Sequence, residues 1–230
     1  MAALLKMMMA GGAPAASVAE MGRALAAAKE EKKLPIITVS KMVQIVISIS
    51  NRLGLCDPVP WNKVRIFINL QDTVIINIDL LESIAAEIKP RARGEIKEFP
   101  DPTPADPDGK LRYATCEPRM VDTLLQLKKM GIHFTFVVGR PESQKEHILG
   151  QLAAFNLEGF ADVICTGGIN KGPFVKKLIP DDDKTILFVA IDSTMGSLET
   201  YVAPTAFPPE KIMLVLYKAF ETIDPEQGKL

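Results

Sequence analysis

Short apolar runs alternate with amphipathic stretches along most of this 230-residue chain. The runs are rich in β-branched side chains and show little polar alternation, which is typical of strands buried on both faces of a parallel sheet. Six runs are predicted as strands: residues 36–39, 64–70, 74–78, 132–138, 161–165 and 185–191. Each is bounded by turn residues or by the start of a helical pattern.

The stretches between these runs have the periodicity of helices. Ser17 and Glu20 have capping-box spacing, and Pro118 suits the first turn of another helix, which Gly131 ends. Helices are predicted at residues 17–32, 40–53, 79–88, 117–131, 142–155, 171–178 and 212–223. Alternating strands and helices predict an α/β layer fold with right-handed crossovers.

The predicted organisation has three parts. A tail and helix occupy residues 1–33, an α/β domain residues 34–207, and a helical tail residues 208–230. Within the domain, residues 89–112 carry five prolines together with Asp-Pro and Asp-Gly turn signals. This segment is predicted to be a loop or a small lid.

Composition narrows the function classes. The chain has 27 basic and 28 acidic side chains, so it offers no electrostatic case for nucleic acid or an anionic membrane. No apolar run approaches the roughly 18 residues that a membrane span needs. Cys56, Cys116 and Cys165 are far apart and are predicted to be buried free thiols, and two histidines are too few for a histidine-based metal site.

The first nineteen residues are rich in Ala and Met, a composition compatible with either a secretory signal or a transit peptide. Lys6 and the Gly-Gly-Ala-Pro sequence interrupt the apolar part, which disfavours a secretory signal. The first arginine is Arg23, whereas transit peptides usually carry several. We therefore expect an intracellular protein, in the cytoplasm or in an organelle, with the mitochondrion left open.

Polar residues follow several predicted strands in an order that resembles a known family. The four segments are 66–73 (Ile-Phe-Ile-Asn-Leu-Gln-Asp-Thr), 131–142 (ending Val-Val-Gly-Arg-Pro-Glu), 166–172 (Thr-Gly-Gly-Ile-Asn-Lys-Gly) and 186–193 (ending Ile-Asp-Ser), the last followed by Ser-Leu-Glu at 197–199. Together they resemble the motifs of the haloacid dehalogenase superfamily over about residues 36–200. The third segment is most similar to that of uncharacterised bacterial members.

The resemblance implies a Rossmannoid three-layer fold with a central parallel sheet and a small or absent cap. It also implies a chemistry, in which one Asp attacks phosphorus and a second Asp serves as acid and base. A Thr and a Lys hold the phosphoryl oxygens, and acidic residues of the fourth motif hold Mg²⁺.

Four of the matching positions have lost these groups, and three of them belong to the catalytic and phosphate-binding residues. Asn69 stands at the nucleophile position and Gln71 at the acid/base position, and amides serve neither role near neutral pH. Val138 replaces the phosphate-binding Thr. The resemblance therefore implies a site without catalytic residues.

Two charged groups remain. Lys171 matches the motif lysine and Asp192 the first metal-binding Asp, whereas Ser193 takes the place of the second. Mg²⁺ prefers several carboxylate and water oxygens, so we expect weak or absent Mg²⁺ binding and no other cofactor. We predict instead that Lys171 and Asp192 pair with each other, with Lys171 as the one possible residual phosphate ligand.

Other acidic residues were considered as substitutes. Asp72 is expected to support the turn rather than face a substrate, and Asp79 lacks the accompanying motif residues. The acidic residues 181–183 are expected to form a solvated turn. Arg140 is predicted to stand at a helix start, free to form a surface pair.

These observations favour a catalytically inactive pseudophosphatase that acts as a structural or protein-binding subunit, with protein partners in a larger assembly. Two alternatives stay open. One is a working phosphohydrolase with a divergent site. The other is a non-catalytic binder of a phosphorylated ligand through Lys171 and the backbone amides at the strand ends.

Overall fold

The computed structural model describes residues 36–54, 59–100, 110–180 and 182–223. The described residues form nine strands: β1 Ile36–Val39, β2 Val64–Ile68, β3 Ile75–Asn77, β4 Ile96–Pro100, β5 Lys110–Thr115, β6 His133–Val138, β7 Asp162–Cys165, β8 Leu187–Asp192 and β9 Ile212–Tyr217. They also form six α-helices: α1 Val43–Arg52, α2 Ile78–Ser83, α3 Met120–Lys129, α4 Lys145–Ala154, α5 Lys171–Lys176 and α6 Met195–Glu199.

Six strands form a parallel sheet in the order β1-β9-β8-β2-β6-β7, and helices flank it. The remaining three form an antiparallel sheet in the order β3-β5-β4. The predicted α/β class with a central parallel sheet is therefore confirmed. Parallel strands must be covered on both faces, which explains why their sequences are nearly continuous apolar runs.

Strand β2 is central to the core. Val64, Ile66 and Ile68 belong to the main apolar cluster, and all three are fully buried. The alternate residue Phe67 points to the other face, where its ring lies 5.9 Å from that of Phe188 in a stacked arrangement. Apart from Arg65 near its start, β2 is thus apolar on both faces, which accounts for its lack of a regular polar alternation.

Helices α1 and α3 contribute to the main apolar cluster through residues spaced one turn apart. Ile45 and Ile49 of α1 are fully buried, as are Met120 and Leu124 of α3. This i, i+4 spacing is what makes each helix amphipathic and directs one face toward the sheet. Helix α1 begins at Val43 rather than at Ser40, because Gln44 Oε1 accepts from the amides of Ser40 and Lys41.

The strand order places one crevice at the middle of the sheet. From β2 the chain proceeds to β6 and β7 on one side, and then to β8 and β9 on the other. The order reverses between β2 and β8, where Ile68 lies opposite Ile191 in the register. Crevices at such reversals, at the carboxyl ends of the strands, are where open α/β sheets bind ligands. Asn69 and Ser193 directly follow the two strands.

The helix predicted at residues 212–223 is wrong. Ile212–Tyr217 is strand β9, which lies between β1 and β8 inside the parallel sheet, so this segment is not a helical tail. An apolar run that is buried on both faces has no periodicity to distinguish strand from helix, and pairing with two neighbours decides the outcome. Residues 224–230 of the predicted tail lie outside the described residues.

The loop predicted at residues 89–112 is also wrong in part. Ile96–Pro100 and Lys110–Thr115 are strands that pair with each other, and the second pairs with β3. Pro100 is tolerated because β4 is an edge strand of the small sheet. Arg112 of β5 also joins this sheet to α2, because it forms an ion pair with Asp79 at 2.6 Å.

Other sequence expectations concern the termini and cysteines. The predicted tail and helix at residues 1–33 lie outside the described residues, as does Cys56. The expectation of buried free thiols is confirmed for Cys116 and Cys165. Across the described residues, none of the helices combines the length and apolar character that crossing a membrane requires.

Candidate functional site

A cleft of about 400 Å³ opens at the carboxyl ends of β2, β6 and β8. Most of the positions singled out from the sequence line it, although they come from distant parts of the chain. The lining residues are Asn69, Gln71, Asp72, Gly139, Arg140, Lys171, Asp192, Ser193, Thr194 and Ser197. Val138, the last residue of β6, is buried behind this surface and does not line it.

Lys171 and Asp192 form a buried ion pair in the cleft. Lys171 Nζ lies 2.6 Å from Asp192 Oδ2, and the two side chains are 12% and 3% exposed. The pairing predicted from the sequence is therefore confirmed. At such burial each charge depends on its partner, because neither is adequately solvated by water.

Asp192 is also surrounded by hydroxyl and amide donors. Ser197 Oγ donates to Oδ2 at 2.7 Å. The backbone N–H and the hydroxyl of Thr194 donate to Oδ1 at 3.1 and 3.0 Å. Each carboxylate oxygen thus accepts two hydrogen bonds when Lys171 is counted. Thr194 and Ser197 were not predicted as site residues, although hydroxyl residues two and five positions after a strand-end Asp are a usable signal.

Asn69 uses both ends of its amide. Its Oδ1 accepts from Lys171 Nζ at 3.0 Å, and its Nδ2 donates to the backbone carbonyl of Gln71 at 2.7 Å. Its backbone N–H donates to Ile191 O at 2.9 Å and so extends the pairing of β2 with β8. A carboxylate at position 69 has no proton for the Gln71 carbonyl and would set two oxygens against each other.

Lys171 is positioned by the start of α5. Gly167 and Gly168 both have positive φ, at 62° and 82°, and form the turn that leads into this helix. Gly172 then packs so closely on the Thr200 carbonyl that a β-carbon would collide with it. The Gly172 N–H donates to Thr200 Oγ1 at 3.0 Å. These contacts hold the first turn of α5 against the segment that follows α6.

Asp72 differs from its expected role. Its backbone does support the turn, since φ is +56° and its N–H donates to Ile75 O at 2.7 Å. Its side chain nevertheless lines the cleft. Burial raises the pKa of Asp72 above its ordinary value of 3.8, and the negative charge of Asp192 raises it further. Within the described residues, its carboxylate has no hydrogen-bond or ion-pair partner.

Gln71 and Ser193 stand where the family resemblance implies acidic residues. Both line the cleft, and neither side chain makes a hydrogen bond to another described residue. The Val138 carbonyl accepts from the amide and hydroxyl of Thr166, at 2.9 and 3.3 Å. The valine side chain offers no hydroxyl toward the cleft.

The remaining polar candidates have structural partners. Asp79 accepts from Arg112, which joins α2 to β5. Asp183 was expected in a solvated turn, but its side chain is only 11% exposed and lies 3.0 Å from Arg65, so that expectation is wrong for this residue. Asp181 lies outside the described residues. Arg140, predicted at a helix start and free to form a surface pair, lines the cleft, and its Nη1 donates to Gln144 Oε1 at 3.5 Å.

No family model, curated protein or solved structure gives a significant match to this chain. In the described ranges, no group of three or more His, Cys, Asp and Glu residues is arranged to hold a metal ion.

Proposed function

We propose that this protein is a catalytically inactive pseudophosphatase of the haloacid dehalogenase-like kind, which acts as a structural or protein-binding subunit of a larger assembly. One observation carries the proposal. The ammonium group of Lys171 sits between Asp192 Oδ2 and Asn69 Oδ1, at 2.6 and 3.0 Å. The retained charges satisfy each other, and the positions that would perform chemistry hold neutral side chains.

The placement of the motif residues supports the family resemblance. Asn69, Gln71, Lys171, Asp192 and Ser193 come from three separate segments and meet in one cleft. That cleft lies where the strand order reverses, at the carboxyl edge of the sheet.

The side chains do not fit the Mg²⁺ ion that the resemblance implies. Mg²⁺ requires near-octahedral oxygen ligands and commonly binds one or two carboxylates. Asp192 already accepts four hydrogen bonds, and a bound cation would have to displace Lys171. Electrostatic repulsion between the ammonium and an incoming Mg²⁺ opposes binding as well. No step of the proposed function therefore uses a metal.

Asn69, which stands at the nucleophile position, also supports the proposed lack of catalysis. Because its Nδ2 donates to the Gln71 carbonyl and its Oδ1 accepts from Lys171, an amide suits this position better than a carboxylate does. The substitution thus has a structural role in the cleft. Its neighbour Gln71 supplies no ionisable group to protonate a leaving group.

Exposed apolar side chains near the cleft support a role in protein binding. Ile169, in the turn before α5, is 61% exposed, and Met195, at the start of α6, is 43% exposed. Each lies within three residues of a charged group of the buried pair. Large apolar side chains beside a cleft are suited to docking a protein surface.

Asp72 favours the alternative of a phosphohydrolase with a divergent site. A carboxyl group with a raised pKa in a cleft is what general acid catalysis requires. Among the residues that the structure describes, none beside Asp72 replaces the Asp nucleophile, since Asn69 and Gln71 are amides and the carboxylate of Asp192 already accepts four hydrogen bonds. The inactive reading is therefore preferred.

The test has a catalytic arm. The purified protein is assayed with p-nitrophenyl phosphate and Mg²⁺, and Mg²⁺ binding is followed by titration calorimetry. We expect no turnover above the buffer blank and no heat of binding at millimolar Mg²⁺. Turnover that disappears in Asn69→Ala, Asp72→Asn or Asp192→Ala would contradict the proposal.

A second arm addresses the assembly. The tagged protein in its native cells is expected to sediment with a complex much larger than 25 kDa. Ile169→Asp is expected to release it as a free monomer, whereas Leu178→Asp, at a similarly exposed position after α5, is the matched control. Sedimentation of the wild-type protein as a monomer would refute the subunit role and leave the catalytic result untouched.

A further inference from the structure

The cleft at the carboxyl ends of β2, β6 and β8 has two charged groups besides the buried ion pair. Four of its ten lining residues are charged, namely Asp72, Arg140, Lys171 and Asp192. Lys171 and Asp192 neutralise each other at 2.6 Å. Asp72 and Arg140 therefore remain, one negative and one positive, on the wall of a space of about 400 Å³. A volume of this size is in the range of sites for small molecules.

Asp72 is an anion without a counter-ion in the described part of the chain. Its side chain lines the cleft, yet its carboxylate makes neither a hydrogen bond nor an ion pair with any described residue. Burial and the negative charge of Asp192 both disfavour the ionised form, and this raises the pKa of Asp72. Lys171 is already engaged by Asp192 and Asn69. A cation that enters the cleft beside Asp72 relieves this electrostatic penalty.

Neutral oxygen acceptors lie with Asp72 in the cleft. The side chains of Gln71 and Ser193 line it as well, and neither makes a hydrogen bond to another described residue. An ammonium group has three N–H donors and no acceptor, so it suits a carboxylate that is accompanied by an amide oxygen and a hydroxyl oxygen. A phosphoryl group would instead be repelled by the negative charge of Asp72.

Arg140 supplies the complementary cation. Its Nη1 donates to Gln144 Oε1 at 3.5 Å, which is a long hydrogen bond, and its guanidinium has no ion-pair partner among the described residues. The nearby Glu142 pairs with Lys145 instead, at 2.8 Å. A guanidinium has five N–H donors in a planar fork, and a carboxylate can accept two of them side by side. Arg140 thus has donors available for a carboxylate group.

The two charged residues follow neighbouring strands of the sheet. Asp72 lies in the turn after β2, and Arg140 lies two residues beyond the end of β6. The two strands pair in parallel, with Ile68 opposite Phe136 near their carboxyl ends. The space beside Arg140 is open, because a β-carbon at Gly139 would meet nothing within 4 Å. One small ligand in this cleft can therefore contact both residues, since both line it.

We infer that Asp72 and Arg140 form a binding site for a small zwitterion, a molecule that carries both an ammonium and a carboxylate group. Asp72 holds the ammonium together with the side-chain oxygens of Gln71 and Ser193, and Arg140 holds the carboxylate. Because the cleft carries balanced charges, a ligand without net charge is more complementary to it than a simple anion or a simple cation. The inference goes beyond the proposed function, since such a ligand can bind whether or not the cleft catalyses a reaction.

The test compares zwitterions with molecules that carry only one of the two charges. The probes are glycine, γ-aminobutyrate and 6-aminohexanoate as zwitterions, with n-butylamine and butyrate as the single charges. Each is titrated into the isotopically labelled full chain at constant ionic strength, and chemical-shift changes at the backbone amides of Gln71, Gly139 and Ser193 report binding in the cleft. We expect millimolar affinity for at least one zwitterion, tenfold or more tighter than for either single charge.

Single substitutions assign each half of the ligand to its residue. Asp72→Asn keeps the turn, because Asn also adopts positive φ, and should weaken zwitterion binding tenfold or more while leaving butyrate binding within twofold. Arg140→Gln should weaken zwitterion binding by a similar factor while leaving n-butylamine binding within twofold. Arg119→Gln, at an exposed arginine outside the cleft, is the matched control and should change no affinity by more than twofold.

Absence of binding by all three zwitterions at about 50 mM would overturn the inference. Binding of butyrate or n-butylamine as tight as that of the best zwitterion would also overturn it, because the site would then recognise one charge only. Unchanged zwitterion affinity in Asp72→Asn or in Arg140→Gln would have the same consequence. The comparison of probes on the wild-type protein needs no variant to fold, and it is independent of the phosphatase assay that tests the proposed function.

Discussion

Two groups of cationic side chains at the carboxyl edge of the sheet are partnered in opposite ways. Lys171 is almost fully buried, yet it is held by a carboxylate and an amide oxygen. Arg91 and Arg93 are only partly buried, yet they contact backbone carbonyls and no carboxylate. The more buried charge is the better satisfied one.

The difference separates a fully partnered ion pair from cations that keep free hydrogen-bond donors. A buried ion pair with all its hydrogen bonds made has nothing left to offer a ligand and loses stability when either partner is removed. Arginines that donate only one N–H to a backbone carbonyl keep other N–H donors free, and these can bind an anion. In this chain Lys171 and Asp192 form a pair of the first kind, whereas Arg91 and Arg93 are cations of the second kind.

Breaking the buried pair is expected to have the largest effect. Lys171→Met leaves Asp192 charged and buried and should lower the free energy of unfolding by about 3–5 kcal/mol. Arg91→Met loses one bond to a carbonyl and should cost at most about 2 kcal/mol. Urea unfolding measures both. Equal losses in the two variants would contradict the comparison.

Displacing the helix that carries Lys171 should have an intermediate effect. Gly172→Ala places a methyl group against the Thr200 carbonyl, so the backbone must shift to avoid the clash. This shift should lower the free energy of unfolding by about 1–3 kcal/mol. Gly196→Ala in α6 is the matched control, because a β-carbon there has nothing within 4 Å. The control should be neutral or slightly stabilising, since Ala favours helices. A loss in the control as large as in Gly172→Ala would disprove the packing argument.

Removing the charge of Asp72 should have the smallest effect, and a pH-dependent one. Because the folded-state pKa is raised above 3.8, the folded protein binds more protons than the unfolded one between these two values. The free energy of unfolding therefore falls as pH rises from 3.8 to the folded-state pKa of Asp72. Above that pKa the whole cost of burying the ionised carboxylate is present. Asp72→Asn should stabilise the protein at pH 7, by an amount that shrinks as pH is lowered toward 3.8.

The turn itself should tolerate that substitution, because Asn adopts positive φ as readily as Asp does. Thermal unfolding of the two proteins across pH checks the expectation. A stabilisation that stays constant with pH would show that the ionised carboxylate is not its cause.

Much of the sheet was predictable because local patterns sufficed. Residues 36–39 were predicted as a strand and form β1, and the prediction at 132–138 covers β6. The pairing of Lys171 with Asp192 was predicted because the family resemblance places both residues in one site whose other charged positions are lost. Strand β9 was missed, since its apolar run is compatible with a helix until β1 and β8 are seen on either side of it.

The contact of Arg91 with Lys218 and Tyr217 carried no signal that a single sequence could show. An arginine in a proline-containing segment is ordinarily solvated, and a tyrosine in an apolar run is ordinarily a core residue. This contact arises only because residues 89–95 pass over the end of β9, more than a hundred positions away in the chain. Sequence spacing gives no measure of that proximity.

The order of apolar and polar residues by itself determined the α/β class. The identities of residues 69 and 71 by themselves showed that these positions carry amides and no carboxylates. Both follow from side-chain identity and short-range periodicity, which are properties of neighbouring residues. Only the tertiary structure decided that Asn69 would join Asp192 in holding Lys171, and that residues 212–217 would be a strand. These outcomes depend on contacts between distant segments, which form only when the strands assemble into one sheet.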